Sequence, residues 1–161
     1  MNAPDPWPPG RSWYDLPPNQ AAGVARSRGL LDRLFAELVE HGHAPADIAL
    51  LGFSQGCLMT LEWGLRSSCV LAGYVGISGY CLDAPALLAE RNRANDPGRW
   101  FVTHGTHDEV LPYRTTATQM QALAAGGFPV RFASYEKGHT IDPVGEFPAI
   151  RAFLAARLGL A

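Results

Sequence analysis

A nearly unbroken apolar run at residues 48–53 leads straight into Gly52-Phe53-Ser54-Gln55-Gly56, and no other stretch restricts the fold so tightly. A run without polar alternation fits a parallel strand buried on both faces. Leu58, Leu61 and Leu65 follow at a spacing that gathers them on one side of a helix. Serine with glycine two residues away on each side is what a sharp strand-to-helix turn requires. The serine backbone is pressed into an unfavourable conformation, and larger side chains at positions 52 and 56 are expected to strike the opposite arm. Strain of that kind costs about 1–3 kcal/mol and persists where function requires it. The same five residues occur by chance in loops; the flanking strand and helix give them meaning here. The turn sets the Ser54 hydroxyl above a sheet, at the positive N-terminal end of the helix.

At 161 residues the chain is expected to form one domain, 1–161, with a real core. It carries 13 Lys and Arg against 15 Asp and Glu, a formal net charge of −2. That balance offers no basic surface for nucleic acid or an anionic membrane. No apolar run approaches the roughly 18 residues of a membrane helix. The N-terminus is proline-rich rather than basic and then apolar, unlike a secretory signal. Cys57, Cys69 and Cys81 are an odd set without a C-x-x-C pair. They read as reduced core residues of a cytoplasmic protein, at a spacing unsuited to structural zinc.

Pro4, Pro6, Pro8, Pro9, Pro17 and Pro18 exclude helix and central strand, so residues 1–18 are expected to be non-regular. Trp7, Trp13 and Tyr14 are too apolar for a solvated linker and should lie against the body. Asn19 is placed to cap a helix in which Leu31, Leu34, Phe35 and Leu38 share a face and Gly42 gives the stop. Gly23 and Gly29 weaken its first half. Further strands are expected at 71–78, 100–104 and 130–135. They alternate with helices at 85–95, closed by Asp96-Pro97-Gly98, at 115–125 and at 145–158. The last carries Phe147, Ile150, Phe153 and Leu154 on one stripe. Such alternation means an α/β fold with a mostly parallel sheet of about four strands.

Open parallel sheets bind ligands beyond the carboxyl ends of their strands. Ser54, Asp108 and His139 each fall just past such an end, in the chain order Ser, Asp, His of strand–turn–helix hydrolases. Acyl transfer gives each a role. Ser54 attacks the carbonyl carbon once His139 has taken its proton, and Asp108 holds the imidazole and stabilises its cation. The backbone N–H of Gln55 would donate to the oxyanion. Blander readings compete. A lone loop histidine such as His139 is ordinarily a surface residue, as His41 and His43 are read to be. Asp108 alone would be a turn residue. His104 is expected to pack at a strand end and brace the Asp108 turn. Asp142, a rival acid, looks like the cap of the last helix. A metal set of His104, His107 and Asp108 lacks a fourth ligand placed by spacing.

Together, Gly52-Phe53-Ser54-Gln55-Gly56, the stretch His104-Gly105-Thr106-His107-Asp108-Glu109-Val110-Leu111-Pro112, and Gly138-His139 closely resemble the phospholipase/carboxylesterase family of the α/β-hydrolase fold. Lysophospholipases and acyl-protein thioesterases are among its relatives. Ser-Trp-Tyr-Asp-Leu at residues 12–16 is similar to the segment this family carries before its first long helix. The resemblance spans essentially the whole chain. It implies Ser54 as nucleophile, Asp108 as acid, His139 as base, a small ester or thioester substrate, and no cofactor. Trp13, Tyr14, Tyr80 and Leu111 are candidates to line the acyl pocket, although large apolar residues more often build cores.

The family pattern also opens with further strands and a His-Gly loop carrying a second oxyanion donor, and nothing here corresponds to them. The expectation is an N-terminally incomplete chain, a fragment or the product of a late start site, entering the fold at Met1-Asn2-Ala3-Pro4. Losing one oxyanion donor costs about 10²–10³ in kcat. The strand at 48–53 would also have a bare edge that aggregates, is covered, or pairs with a second copy as a homodimer. The expected function is a serine carboxylic ester hydrolase: esterase, lysophospholipase or thioesterase. The alternative is a non-catalytic remnant of that fold that binds a ligand or partner.

Overall fold

The computed structural model describes residues 2–95 and 97–160. The expected chain entry at Met1 and helix stop at Asp96 therefore lie outside the described residues. Four parallel strands form one sheet in the order β3-β4-β5-β6: β3 (Ala49–Phe53), β4 (Gly73–Ile77), β5 (Trp100–Gly105) and β6 (Arg131–Tyr135). Ahead of them come a two-stranded hairpin, β1 (Asp5–Trp7) with β2 (Gly10–Ser12), and the long helix α1 (Gln20–Glu40). Between and after the strands run α2 (Gln55–Gly64), α3 (Ala84–Glu90), α4 (Tyr113–Ala125) and α5 (Glu146–Leu158).

Strand residues alternate between two cores. Tyr74, Trp100 and Val102 join the larger core, built with Val24, Leu31 and Phe35 of α1, Leu58 and Leu61 of α2, Leu87 of α3 and Leu123 of α4. Val75, Ile77 and Phe101 turn the other way and meet Ile150 and Phe153 of α5. Only β4 and β5 are buried along their whole length. β3 is one of the two edge strands, and Leu51 on it is 46% exposed, so the expected burial on both faces is corrected. Its apolar composition suits an interior strand, and its position in the sheet decides otherwise.

Three further expectations change. Residues 1–18 are not wholly irregular, because Pro6 sits in a two-stranded ribbon where a missing N–H can face outward. The helix expected over 85–95 stops at Glu90, and Asn95 is buried instead, its amide donating to the Gly64 and Leu65 carbonyls. Phe147 is 56% exposed, off the buried stripe that Ile150 and Phe153 form. By contrast α1 runs unbroken through Gly23. A Cβ there would come within 2.8 Å of Tyr14, so the glycine admits the residues that follow the hairpin into the core.

Candidate active site

β3 ends at Phe53, and the chain reverses into α2 at Ser54, whose φ of 55° and ψ of −117° lie in strained territory. The turn is held by Ser54 N–H donating to the Ile77 carbonyl (2.8 Å) and by the Ser54 carbonyl accepting from Cys57 N–H (3.0 Å). Gly52 is required sterically, because a Cβ there would sit 2.0 Å from the Gly56 carbonyl oxygen. Gly56 is not: its Cβ would enter open space, which corrects the expectation that both glycines avoid a collision.

Asp108 follows β5 in a tight loop and its side chain is fully buried. Oδ1 accepts the N–H groups of Leu111 (2.8 Å) and Val110 (3.0 Å), which leaves Oδ2 for the His139 ring at 2.8 Å. Burial opposes ionisation of this carboxyl. The Leu111 and Val110 N–H groups together with the His139 ring outweigh it and hold the carboxyl below the usual range. With Nδ1 donating to Asp108, His139 presents Nε2 as an acceptor, 3.0 Å from the Ser54 hydroxyl. The Phe53 ring lies against this imidazole, centroids 4.8 Å apart. Three side chains from three strand ends thus form one chain of contacts.

His104 is fully buried, donates Nε2–H to the Leu111 carbonyl (2.9 Å) and comes within 3.4 Å of Asp108, so it braces the turn as expected. Asp142 accepts from the N–H groups of Val144, Gly145 and Glu146 ahead of α5, the capping role read for it. Among the described residues no cluster of three His, Cys, Asp or Glu side chains could hold a metal. Cys57 is completely buried, and burial pushes its thiol up to about 12, so the sulfur beside the turn stays protonated.

A mostly apolar cleft of about 750 Å³ opens over Ser54. Trp13, Tyr14, Tyr80 and Leu111 all line it, Tyr14 with only 2% of its surface exposed. Trp7 and Arg11 of the hairpin also line it, a wall the sequence reading missed because proline had ruled out regular structure there. Gln55 has two parts. Its N–H belongs to the first turn of α2, where the helix supplies no acceptor. Its side chain fastens the segment after the hairpin: Oε1 accepts from Trp13 N–H (2.9 Å) and the Ser12 hydroxyl (3.0 Å), and Nε2 donates to the Tyr14 carbonyl (3.2 Å).

A parallel sheet with a serine on a strained strand–helix turn defines the α/β-hydrolase class. A profile of the Phospholipase/Carboxylesterase family matches residues 2–158, and the chain belongs to that family. It is 34% identical over 137 residues to acyl-protein thioesterase 1 of Emericella nidulans, covering 83% of this chain and 57% of that protein. Acyl-protein thioesterase 1 of Yarrowia lipolytica is 33% identical over 109 residues, 63% of this chain and 48% of the relative. The chain therefore spans about half the length of these curated relatives. Among solved structures, esterase PE8 is 32% identical with a TM-score of 0.83, over 98% of this chain and 76% of that one. SOBER1 of Arabidopsis thaliana, 21% identical with a TM-score of 0.81, covers 92% of this chain and 75% of its own and shares the fold.

Proposed function

We propose that this chain hydrolyses small carboxylic esters or thioesters through an acyl-enzyme on Ser54. The observation that carries the reading is the contact chain from Ser54 Oγ to His139 Nε2 (3.0 Å) and from His139 Nδ1 to Asp108 Oδ2 (2.8 Å). Ser54 Oγ attacks the carbonyl carbon while His139 Nε2 takes its proton. Asp108, kept ionised, stabilises the resulting imidazolium. The Gln55 N–H donates to the tetrahedral oxyanion. The intermediate then collapses, His139 returns the proton to the departing alkoxide or thiolate, and a water attacks the acyl-serine by the same route to release the acid. Trp13, Tyr14, Tyr80 and Leu111 would wall the acyl group. No step needs a cofactor.

Among the described residues no helix is long and apolar enough to cross a membrane. All three cysteines are free, which suits a reducing compartment, and a cytoplasmic location is part of this proposal.

Turnover of p-nitrophenyl butyrate tests the reading. Ser54→Ala should remove at least about 10³-fold of kcat while leaving the unfolding midpoint unchanged. Retained turnover would overturn the assignment. A second reading, a cleft that binds without turnover, draws on the elements ahead of β3. Among the described residues these are a hairpin and a helix, where the usual pattern of this fold has a loop with a second oxyanion donor. Absence of turnover in the unsubstituted chain, with ester analogues still bound, would favour that reading.

A further inference from the structure

Two residues before His139, the Lys137 ammonium is buried and fully partnered. Nζ contacts Glu146 Oε1 (2.7 Å), donates to the Thr140 carbonyl (2.6 Å) and donates to Ser78 Oγ (3.0 Å). The two charged side chains are 3% and 0% exposed. Each partner belongs to a different piece of the site's frame. Ser78 follows β4 with a φ of 48°, Thr140 follows His139, and Glu146 opens α5. The backbone of Lys137 is pinned as well. Its carbonyl accepts from His107 N–H (3.1 Å) in the loop that carries Asp108, and its N–H donates to the Tyr135 carbonyl (2.9 Å). Gly105 permits this approach, since a Cβ there would lie 2.3 Å from the Lys137 oxygen. Glu146 Oε2 in turn accepts from Asp142 N–H (2.8 Å). The loop bearing His139 is thus fastened on both sides of the imidazole.

A buried ion pair is a poor device for stability, because desolvating two charges costs as much as their attraction returns. Replacing both by uncharged groups of similar size is often neutral or stabilising. Placement is another matter, since an error near 1 Å in a reacting group costs about 10² in rate. We propose that Lys137 and Glu146 are positioning residues whose buried pair sets the 136–146 loop so that the His139 ring bridges Asp108 and Ser54. Only the kinetic arm of the test below rests on the hydrolase reading.

The informative variant of the full chain is Lys137→Met with Glu146→Gln, which removes both charges at once. Its urea unfolding midpoint should equal or exceed that of the parent. Its kcat should fall about 10–100-fold with KM within about 2-fold. The downfield proton signal of His139 Nδ1–H, assigned by its loss in His139→Gln, should broaden or vanish. Lys137→Met alone strands the Glu146 charge and should unfold at lower urea. An unchanged signal and kcat in the double variant would overturn the inference, as would a loss of fold or a fall in kcat only in step with stability. If Ser54→Ala keeps full turnover, the hydrolase reading fails instead, and the proton signal still judges the pair.

Discussion

His104 donates one ring nitrogen to the Leu111 carbonyl, while the other, Nδ1, is buried with no partner among the described residues. Burial pushes its pKa down, and the Leu111 carbonyl and Asp108 recover only part of that shift. The unfolded chain then binds a proton that the folded one refuses. Stability is therefore whole above the ordinary imidazole pKa of about 6.5 and falls as pH drops below it. Urea midpoints at pH 7.5 and 5.5 should separate, and His104→Gln, which keeps a donor for Leu111, should narrow the gap; an equal gap in both proteins would contradict this. Asp108 works in a lower window. Its depressed pKa adds stability above the ordinary carboxylate range and loses it on further acidification. Ser54, Asp108 and His139 were legible as residue types at strand ends, because their spacing follows the α/β pattern. The Lys137–Glu146 pair was not, since ten residues of loop and helix start hide a contact that only the folded chain creates.

At the scale of elements, the strand–turn–helix around Ser54 is asymmetric in a way its symmetric spelling conceals. Gly52→Ala drives a Cβ into the Gly56 carbonyl and should destabilise by about 3 kcal/mol or more, or prevent folding. Gly56→Ala meets nothing within 4 Å and should keep the unfolding midpoint or raise it slightly, since alanine favours helix by up to about 1 kcal/mol. Urea denaturation of the two variants decides, and equal losses would contradict the account. The elements themselves were largely legible. Each expected strand is present within two residues at either end, and α1 runs to Glu40 with a positive-φ Gly42 just beyond. Proline content hid the β1–β2 ribbon, because a rule against central strands says little about a small edge pairing. The helix expected over 85–95 ran too far because helix-favouring Ala, Leu and Arg content carries no knowledge of the Gly64 and Leu65 carbonyls that the Asn95 amide meets.

For the whole molecule, the sheet ends on β3 at one side and on β6 at the other. β3 pairs with β4 alone, and its sequence Ala-Leu-Leu-Gly-Phe carries neither charge nor proline to discourage a further strand. Such an edge aggregates, is covered, or pairs with a second copy, and the dependence of mass on concentration tests the pairing. Sedimentation or light scattering should show mass rising with concentration, and Leu51→Lys should shift it toward monomer. A monomer at every concentration would contradict this. That β3 belongs to the sheet was legible from its apolar run. How much of Leu51 its edge position uncovers was not, since apolar composition alone cannot tell an interior strand from an edge.

The central claim is that Ser54 is a nucleophile made reactive by His139. Mass spectrometry after exposure to a fluorophosphonate tests it most directly. One phosphonyl group should appear on the peptide containing Ser54, formed at least about 10²-fold more slowly in His139→Gln. A folded protein that stays unlabelled, or that reacts equally fast without the imidazole, would contradict the account.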